Sequence, residues 1–383
     1  MSVSSIPQDV RTRLWGKAAG RCQYRGCNKP LWKDDLTKVE FNTSYLAHII
    51  ADKPDGPRGD TLQSPKLCKD INNIMLLCDV HHRLIDKQDV EGHPIELLQK
   101  MKEEHEKRIA LITAMDVDRE SHVVLFGTNI GNHGSPLNIN EVYPALKKEQ
   151  RYPASEIPIA LNLDNSLFKD EDEFFWTLES RNLQKQFKEK IEFLLSSHSV
   201  KHVSLFGLAP QPLLIELGKL FSDIPIVDVF QRQREPEPTW VWADDIDTEY
   251  IIKRPSEIKE KVALIISLSA TISEDRITKV LGDDISIWTL TIDVPENDFL
   301  KSKKQLSEFR RVFRRLLDEI KYKHGQENEI HIFPAAPVAI NVEIGRVWMP
   351  KADLPLIVYD QNHKIHGFQY ALTIQSNEVI ISR

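Results

Sequence analysis

Asn73-Ile-Met-Leu-Leu-Cys78-Asp-Val-His81-His82 decides how the first third of the 383-residue chain is read. Its apolar run, Ile74–Leu77, is short and reads as a strand. The residues flanking that strand carry chemistry: an asparagine before it, then a Cys-x2-His pair and a further histidine. Upstream, Cys22-Gln-Tyr-Arg-Gly-Cys27 offers two thiols around a glycine, a turn able to aim both at one ion. Cys22 and Cys27 with Cys78 and His81 would form a Cys3His zinc site, a common tetrahedral structural type. Alternatively, Cys22 and Cys78 are buried thiols behaving as small hydrophobes. Cys68 has no neighbour at ligand spacing and is assigned to the core. Adjacent helical residues point about 100° apart, so His81 and His82 do not serve the same ion. His81 turns back to the zinc with Cys78, and His82 faces a second, catalytic metal.

Working outward, residues 8–20 read as a helix with Val10, Leu14, Ala18 and Ala19 on its apolar side and Gly20 as its stop. His48 lies in the strand-like Tyr45-Leu-Ala-His48-Ile-Ile50; a single histidine beside apolar residues is usually a satisfied core side chain. Asp52-Lys-Pro-Asp-Gly-Pro-Arg-Gly-Asp60 reads as a loop. His82-Arg-Leu-Ile-Asp86 is helical, with His82 and Asp86 on one face. Residues 95–112 form a charged amphipathic helix that closes a domain near residue 115.

The whole chain narrows the functional classes. No apolar run approaches ~20 residues, so no membrane span is expected, and the start lacks the features of a signal peptide. A cytoplasmic location follows as an expectation. All four cysteines lie in the first 78 residues, which suits metal binding better than a disulfide framework. Residues 1–115 hold 18 Lys+Arg and 16 Asp+Glu, a net of +2, which leaves −9 of the total −7 on the remainder. That split favours nucleic-acid contact at the N-terminal end and disfavours a DNA-coating C-terminal part.

Beyond residue 116 the chain repeats itself. Val123–Phe126 and Ile157–Leu161 read as strands around a Gly/Asn/Pro-rich loop, and residues 170–197 as helical. Val203-Ser-Leu-Phe206-Gly-Leu-Ala209-Pro210 through Glu216 and Gly218 aligns with Ile330-His-Ile-Phe333-Pro-Ala-Ala336-Pro337 through Glu343 and Gly345, at a constant offset of 127 (333 − 206). Ile224-Pro225 then matches Leu354-Pro355 at an offset of 130. Each copy reads strand, Ala-Pro turn, helix, proline, strand: two β-α-β units with parallel strands. Their helix N-termini would turn free amides toward a ligand phosphate, making a composite pocket for a ligand with two phosphates. The alternative is a duplication that retains only packing.

His48, Asn73 and His82, with N-x4-C-x2-H-H around the last two, resemble the HNH (ββα-metal) endonucleases that carry a zinc ribbon. The second half resembles SAVED domains, two fused CARF-like Rossmann units that sense cyclic oligonucleotides. In this order the two resemble the HNH–SAVED effector nucleases of CBASS anti-phage systems. The resemblance implies an α+β nuclease domain over 1–115 and an α/β sensor over 116–383. It implies that His48 is the general base, that Asn73 braces the hairpin, and that His82 holds a catalytic Mg²⁺ or Mn²⁺ beside the structural Zn²⁺. Many members place an Asp before the first His; here that position is Ala47, and Asp86 is the first replacement candidate, with the loop aspartates behind it.

The implied substrate is double-stranded DNA, cut with little sequence preference. The implied activator is a cyclic oligonucleotide, a cyclic dinucleotide such as cGAMP, that gathers the chain into a homo-oligomer. The corresponding ligand residues are Leu208, Ala209, Pro210 and Gln211 in one turn and Ala335, Ala336 and Pro337 in the other. Arg232 is expected on a phosphate, and Trp240 or Trp242 stacked on a base; equally, one of these rings belongs to the core. Trp348 and Tyr359 are read as packing residues, and the basic helix around Phe309–Leu317 as a solvated face. Two other functions are open at this level: a restriction-type endonuclease with a C-terminal DNA- or modification-reading domain, and a non-enzymatic zinc-ribbon module, for which Ala47 is the best argument.

Overall fold

The computed structural model describes residues 5–128, 137–163, 168–172, 174–197, 200–362 and 364–376. The Gly/Asn/Pro-rich loop read from the sequence falls largely in 129–136, outside the described residues. The chain divides into two compact units, Met1–Asp116 and Val117–Arg383.

In the first unit, α1 (Gln8–Ala18) ends in a left-handed Ala19 and Gly20, with Gly20 N–H bonded to the Trp15 carbonyl. A side chain at Gly20 would strike the rings of Trp15 and Trp32, so the stop is steric as well as conformational. Strand β1 (Ser44–His48) leads through α2 (Gln63–Leu67) to β2 (Ile74–Cys78), and the strands pair antiparallel with Ser44 opposite Cys78 and His48 opposite Ile74. Every residue of β2 is buried, which is why its sequence shows an unbroken apolar run rather than alternation. Helix α3 (Asp79–Arg83) follows at once and widens into a π-helical turn over Leu84–Gln88. Helix α4 (Ile95–Thr113) closes the unit against α1, through His105 to the Ala18 carbonyl and Glu106 to Lys17.

The second unit holds the same topology twice. First come β3 (Glu120–Thr128), α5 (Ile139–Lys148), β4 (Tyr152–Pro153), β5 (Ile159–Leu163), α6 (Phe175–Phe187), a π-helical turn and α7 (Phe193–Ser196). Then follow β6 (Val203–Leu208), α8 (Gln211–Phe221) and β7 (Val227–Phe230). After β8 (Ile251–Lys253) the pattern restarts with β9 (Lys261–Ser267), α9 (Glu274–Leu281), β10 (Ile285–Thr291) and α10 (Lys303–His324). It continues with β11 (Ile330–Ala335), α11 (Val338–Val347), β12 (Leu356–Asn362) and an added β13 (Gly367–Ile374). The parallel strands run β5-β3-β6-β7 in one sheet and β10-β9-β11-β12 in the other, so order and direction correspond strand for strand. Both β-α-β units of the sequence repeat are present, and the correspondence reaches further upstream than the repeat does.

The two copies meet along α8 and α11. A Cβ on Gly218 would lie 1.9 Å from the Val342 carbonyl oxygen, and one on Gly345 would lie 1.8 Å from that of Ile215. The two contacts are equivalent under the repeat (345 − 218 and 342 − 215 are each 127), so the helices cross in a reciprocal contact that only glycine permits. One apolar core runs from Phe126 and Phe206 through to Ile332 and Val358, uniting both sheets.

Candidate functional site

Cys22, Cys27, Cys78 and His81 converge, with ligand atoms all within 4.8 Å of one another. The Cys78 sulfur is 3.2 Å and the Cys22 sulfur 3.7 Å from His81 Nδ1. Zn–S bonds near 2.3 Å place tetrahedral ligand atoms roughly 3.8 Å apart, so the donor set fits Zn²⁺. A turn with Gly26 and Asn28 at positive φ folds Cys27 back toward Cys22. Tyr24 stacks on His81 at 4.0 Å, and burial holds that imidazole below its ordinary pKa, in the neutral ligating form. Burial pushes the Cys22 thiol up, so its deprotonation is coupled to cation binding. Cys68 stands apart, donating to the Pro65 carbonyl.

His48 ends β1, and only 8% of its surface is exposed. Its Nε2 lies 2.9 Å from the Cys68 carbonyl oxygen. A carbonyl only accepts, so Nε2 carries a proton, and Nδ1 is the nitrogen placed to act as a general base. Asn73 maintains this arrangement from both sides. Its Oδ1 accepts from Ile50 N–H at 2.8 Å, and its Nδ2 donates to the Ile50 and Leu67 carbonyls at 2.8 and 3.2 Å. The side chain thus extends the ladder past His48 and also grips the segment whose Cys68 carbonyl orients the ring. Ala47 is a core residue with 1% exposure.

His82, on α3, stacks on Tyr45 at 4.7 Å, and its Nε2 is 3.3 Å from Asp86 Oδ2. The other carboxylate oxygen of Asp86 accepts from Arg58 Nη2 at 2.8 Å. Burial alone would raise the Asp86 pKa, but the bonds from His82 and Arg58 outweigh it and hold the carboxyl below its ordinary value. Both oxygens are therefore engaged, unlike the open metal ligand expected from the sequence. Beyond the Cys/His cluster, no other group of three or more metal-capable side chains gathers among the described residues. With Asp86 so engaged, His82 is left as the side-chain donor, and waters and substrate phosphate oxygens would complete the shell of a Mg²⁺ there.

In the second unit, the two Ala-Pro turns lie together because Gln211 joins them. Its Oε1 accepts from Ala336 N–H at 2.9 Å and from Asn341 Nδ2 at 3.1 Å, while its Nε2 donates to the Pro334 carbonyl. Ala339 N–H, in the first turn of α11, goes to Gln231 Oε1 at 3.1 Å. The α11 start is therefore not fully open, contrary to the sequence reading: Gln231 takes one first-turn amide, and Gln211 holds the Ala336 amide just before the helix. Leu208, Ala335 and Ala336 are half-buried around this junction, and Ala209, Pro210 and Pro337 are buried.

The tryptophans need a second correction. Trp240 is 1% and Trp242 3% exposed, packed on Phe206 and Phe230 respectively, so neither ring is available to stack on a base. Arg232 is half-buried, 3.6 Å from Glu141. Trp348 and Tyr359 are buried, as read. The basic helix is not simply solvated: Arg310 reaches the buried Glu343, and Arg314 pairs with Asp353. Sequence reading missed Arg58 and Gln231; the only local signal was the compact Gly56-Pro-Arg-Gly59 loop.

No helix among the described residues is long and apolar enough to cross a membrane. No curated protein matches the chain. Among solved structures it is similar to the Acinetobacter baumannii Cap4 SAVED/CARF-domain containing receptor with the cyclic trinucleotide 2′3′3′-cAAA, at 12% identity and a TM-score of 0.44, covering 77% of this chain and 65% of that one. It is also similar to the Moraxella osloensis Cap4 receptor, at 11% identity and a TM-score of 0.37, covering 77% and 64%. Each match spans less than two thirds of the solved chain. Residues 183–374, half of the chain, match the family model of the SMODS-associated and fused to various effectors sensor domain, and the chain belongs to this SAVED family.

Proposed function

We propose that the chain is a metal-dependent HNH endonuclease governed by its SAVED sensor, an effector of CBASS anti-phage defence that cuts double-stranded DNA once a cyclic oligonucleotide binds. The observation behind this reading is the pairing of His48 Nε2 with the Cys68 carbonyl, held on both sides by Asn73. A core histidine needs only a satisfied ring, whereas this one has dedicated supports. His48 Nδ1 takes the proton of the attacking water. His82 would hold the divalent ion, Mg²⁺ or Mn²⁺, which when bound offsets charge on the phosphate and the leaving oxygen. Cys22, Cys27, Cys78 and His81 would hold the structural Zn²⁺ that fixes the start of α3, and therefore His82. The sensor junction around Gln211 would take the cyclic oligonucleotide, a cyclic dinucleotide in this reading, and gather protomers into a cytoplasmic homo-oligomer.

The test is plasmid cleavage by the purified chain with Mg²⁺ against a panel of cyclic di-, tri- and tetranucleotides. DNA should stay intact until one member is added and then degrade to a smear. His48→Ala should lower cutting by roughly 10²–10⁴-fold while calorimetric binding of that nucleotide is unchanged. Cutting that ignores the whole panel would remove the gating; discrete fragments would point to a sequence-reading enzyme.

A further inference from the structure

Arg58 lies in the loop between β1 and α2, at φ 57° and with only 6% of its side chain exposed. Folding it inward requires a tight loop: a Cβ at Gly56 would lie 2.6 Å from that of Ala51, and one at Gly59 would lie 2.4 Å from the Pro54 carbonyl oxygen. Its guanidinium makes three bonds, one to the end of the His48 strand and two to the turn after α3. Nε donates to the Ile49 carbonyl at 2.7 Å, one residue past His48. Nη1 donates to the Ile85 carbonyl at 2.7 Å, inside the π-helical turn after α3. Nη2 donates to Asp86 Oδ1, and the other oxygen of that carboxylate faces His82.

From this geometry we infer that Arg58 is a positioning residue that locks the His48 strand to the His82 helix, with Asp86 the carboxylate that orients the His82 ring. The inference rests on the nuclease reading only for its catalytic consequence. A π-helical turn shifts the regular backbone pairing and so exposes carbonyls; at Ile85 the arginine fills that gap. The planar fork suits the task because its donors diverge in fixed directions, whereas a lysine ammonium is a single point charge. Tyr45, stacked on the face of His82, leaves the ring two restraints, one on its face and one at the Nε2 edge from Asp86. Carboxylates that orient a metal-binding histidine in this way typically matter by 10–100-fold in metal affinity or activity.

The test uses the full-length, zinc-loaded chain and two readouts independent of DNA cutting. Mn²⁺ is titrated in and followed by the free-ion EPR signal; the His82-dependent site is the part that His82→Ala removes. Long-range ¹⁵N NMR of selectively labelled histidine reports the His82 tautomer without added Mn²⁺. Arg58→Ala should weaken the His82-dependent Mn²⁺ site by about 10–100-fold and average the His82 tautomers, with zinc content retained. Arg58→Lys, which keeps the charge, should not restore either. Arg58→Ala combined with Asp86→Asn should be no weaker than the worse single variant. Wild-type Mn²⁺ affinity and a single His82 tautomer in Arg58→Lys would overturn the inference, as would losses that multiply in the double variant. An absence of any His82-dependent Mn²⁺ site in the wild type would instead sink the metal-dependent reading, leaving the clamp to be judged by the tautomer alone.

Discussion

The two units reach fixed geometry by different means. In Met1–Asp116 the important side chains are held by polar bonds from distant segments, beside four convergent side chains that could hold a metal ion, around a modest core built on β2. In Val117–Arg383 one continuous apolar core spans both sheets, and polar bonds are added at the junction of the turns. The apolar core of the first unit is much the smaller of the two, and a smaller core stabilises less by packing. The first unit therefore has directional bonds where the second has bulk, and the two should fail under different insults.

Removing zinc should separate them most sharply. Structural zinc binding in small domains amounts to about 10–16 kcal/mol of folding free energy, far more than the first unit can lose. A zinc-specific chelator should abolish hydrogen-exchange protection in β2 while leaving β6 and β11 unchanged. Retained protection in β2 would show that packing alone suffices there. Next in size is the helix crossing of the second unit. Gly218→Ala and Gly345→Ala should each cost about 3 kcal/mol, the upper part of the usual range for overpacking, because the obstacle is a backbone carbonyl that cannot rotate away. Urea unfolding should show similar losses for both and no change in zinc content; one tolerated alanine would break the reciprocity.

The smallest effect concerns a divergence between the two copies in the second unit. Phe175, Trp176, Glu179, Leu183 and Phe187 are the buried face of α6, and each lies 130 residues before Gln305, Leu306, Phe309, Phe313 and Leu317, buried residues of α10 (309 − 179 = 130). Glu179 therefore occupies the place of Phe309. It is fully buried, and neither carboxylate oxygen has a hydrogen-bond partner among the described residues. Glu179→Met should stabilise the unit by about 1–3 kcal/mol, the usual desolvation penalty of an unsatisfied polar group. A loss of stability on urea unfolding would mean that the carboxyl is satisfied after all.

What could be read from the sequence followed the range of each interaction. The Cys/His cluster was visible because ligand spacing is local on each side, and the repeat because Ala-Pro turns and glycines sit at fixed offsets. Arg58 was not visible: its acceptors come from two segments distant in sequence, Ile49 and Ile85–Asp86, and nothing in its neighbours marks an arginine for burial. Trp240 and Trp242 were left open between a stacking and a core role because their segment is rich in proline and charge; Phe206 and Phe230, on adjacent parallel strands, form the surface that covers them. The bonds at the start of α11 were hidden for a similar reason, since glutamines 108 and 125 residues away in sequence accept from Ala339 and Ala336 N–H. The upstream halves of the two copies escaped notice because their sequences have diverged while strand order and direction have not.

The glycine crossing has one more consequence. A contact in which each helix presents the same residues to the other is the signature of a two-fold dimer interface. Here both partners belong to one chain, so the association is intramolecular and independent of protein concentration. That linkage frees the copies from having to stay identical. One can tie down a helix start with a glutamine or bury a carboxyl where its twin keeps a phenylalanine, and the pair still assembles one to one. The second unit is in effect a homodimer that its linker has allowed to become a heterodimer.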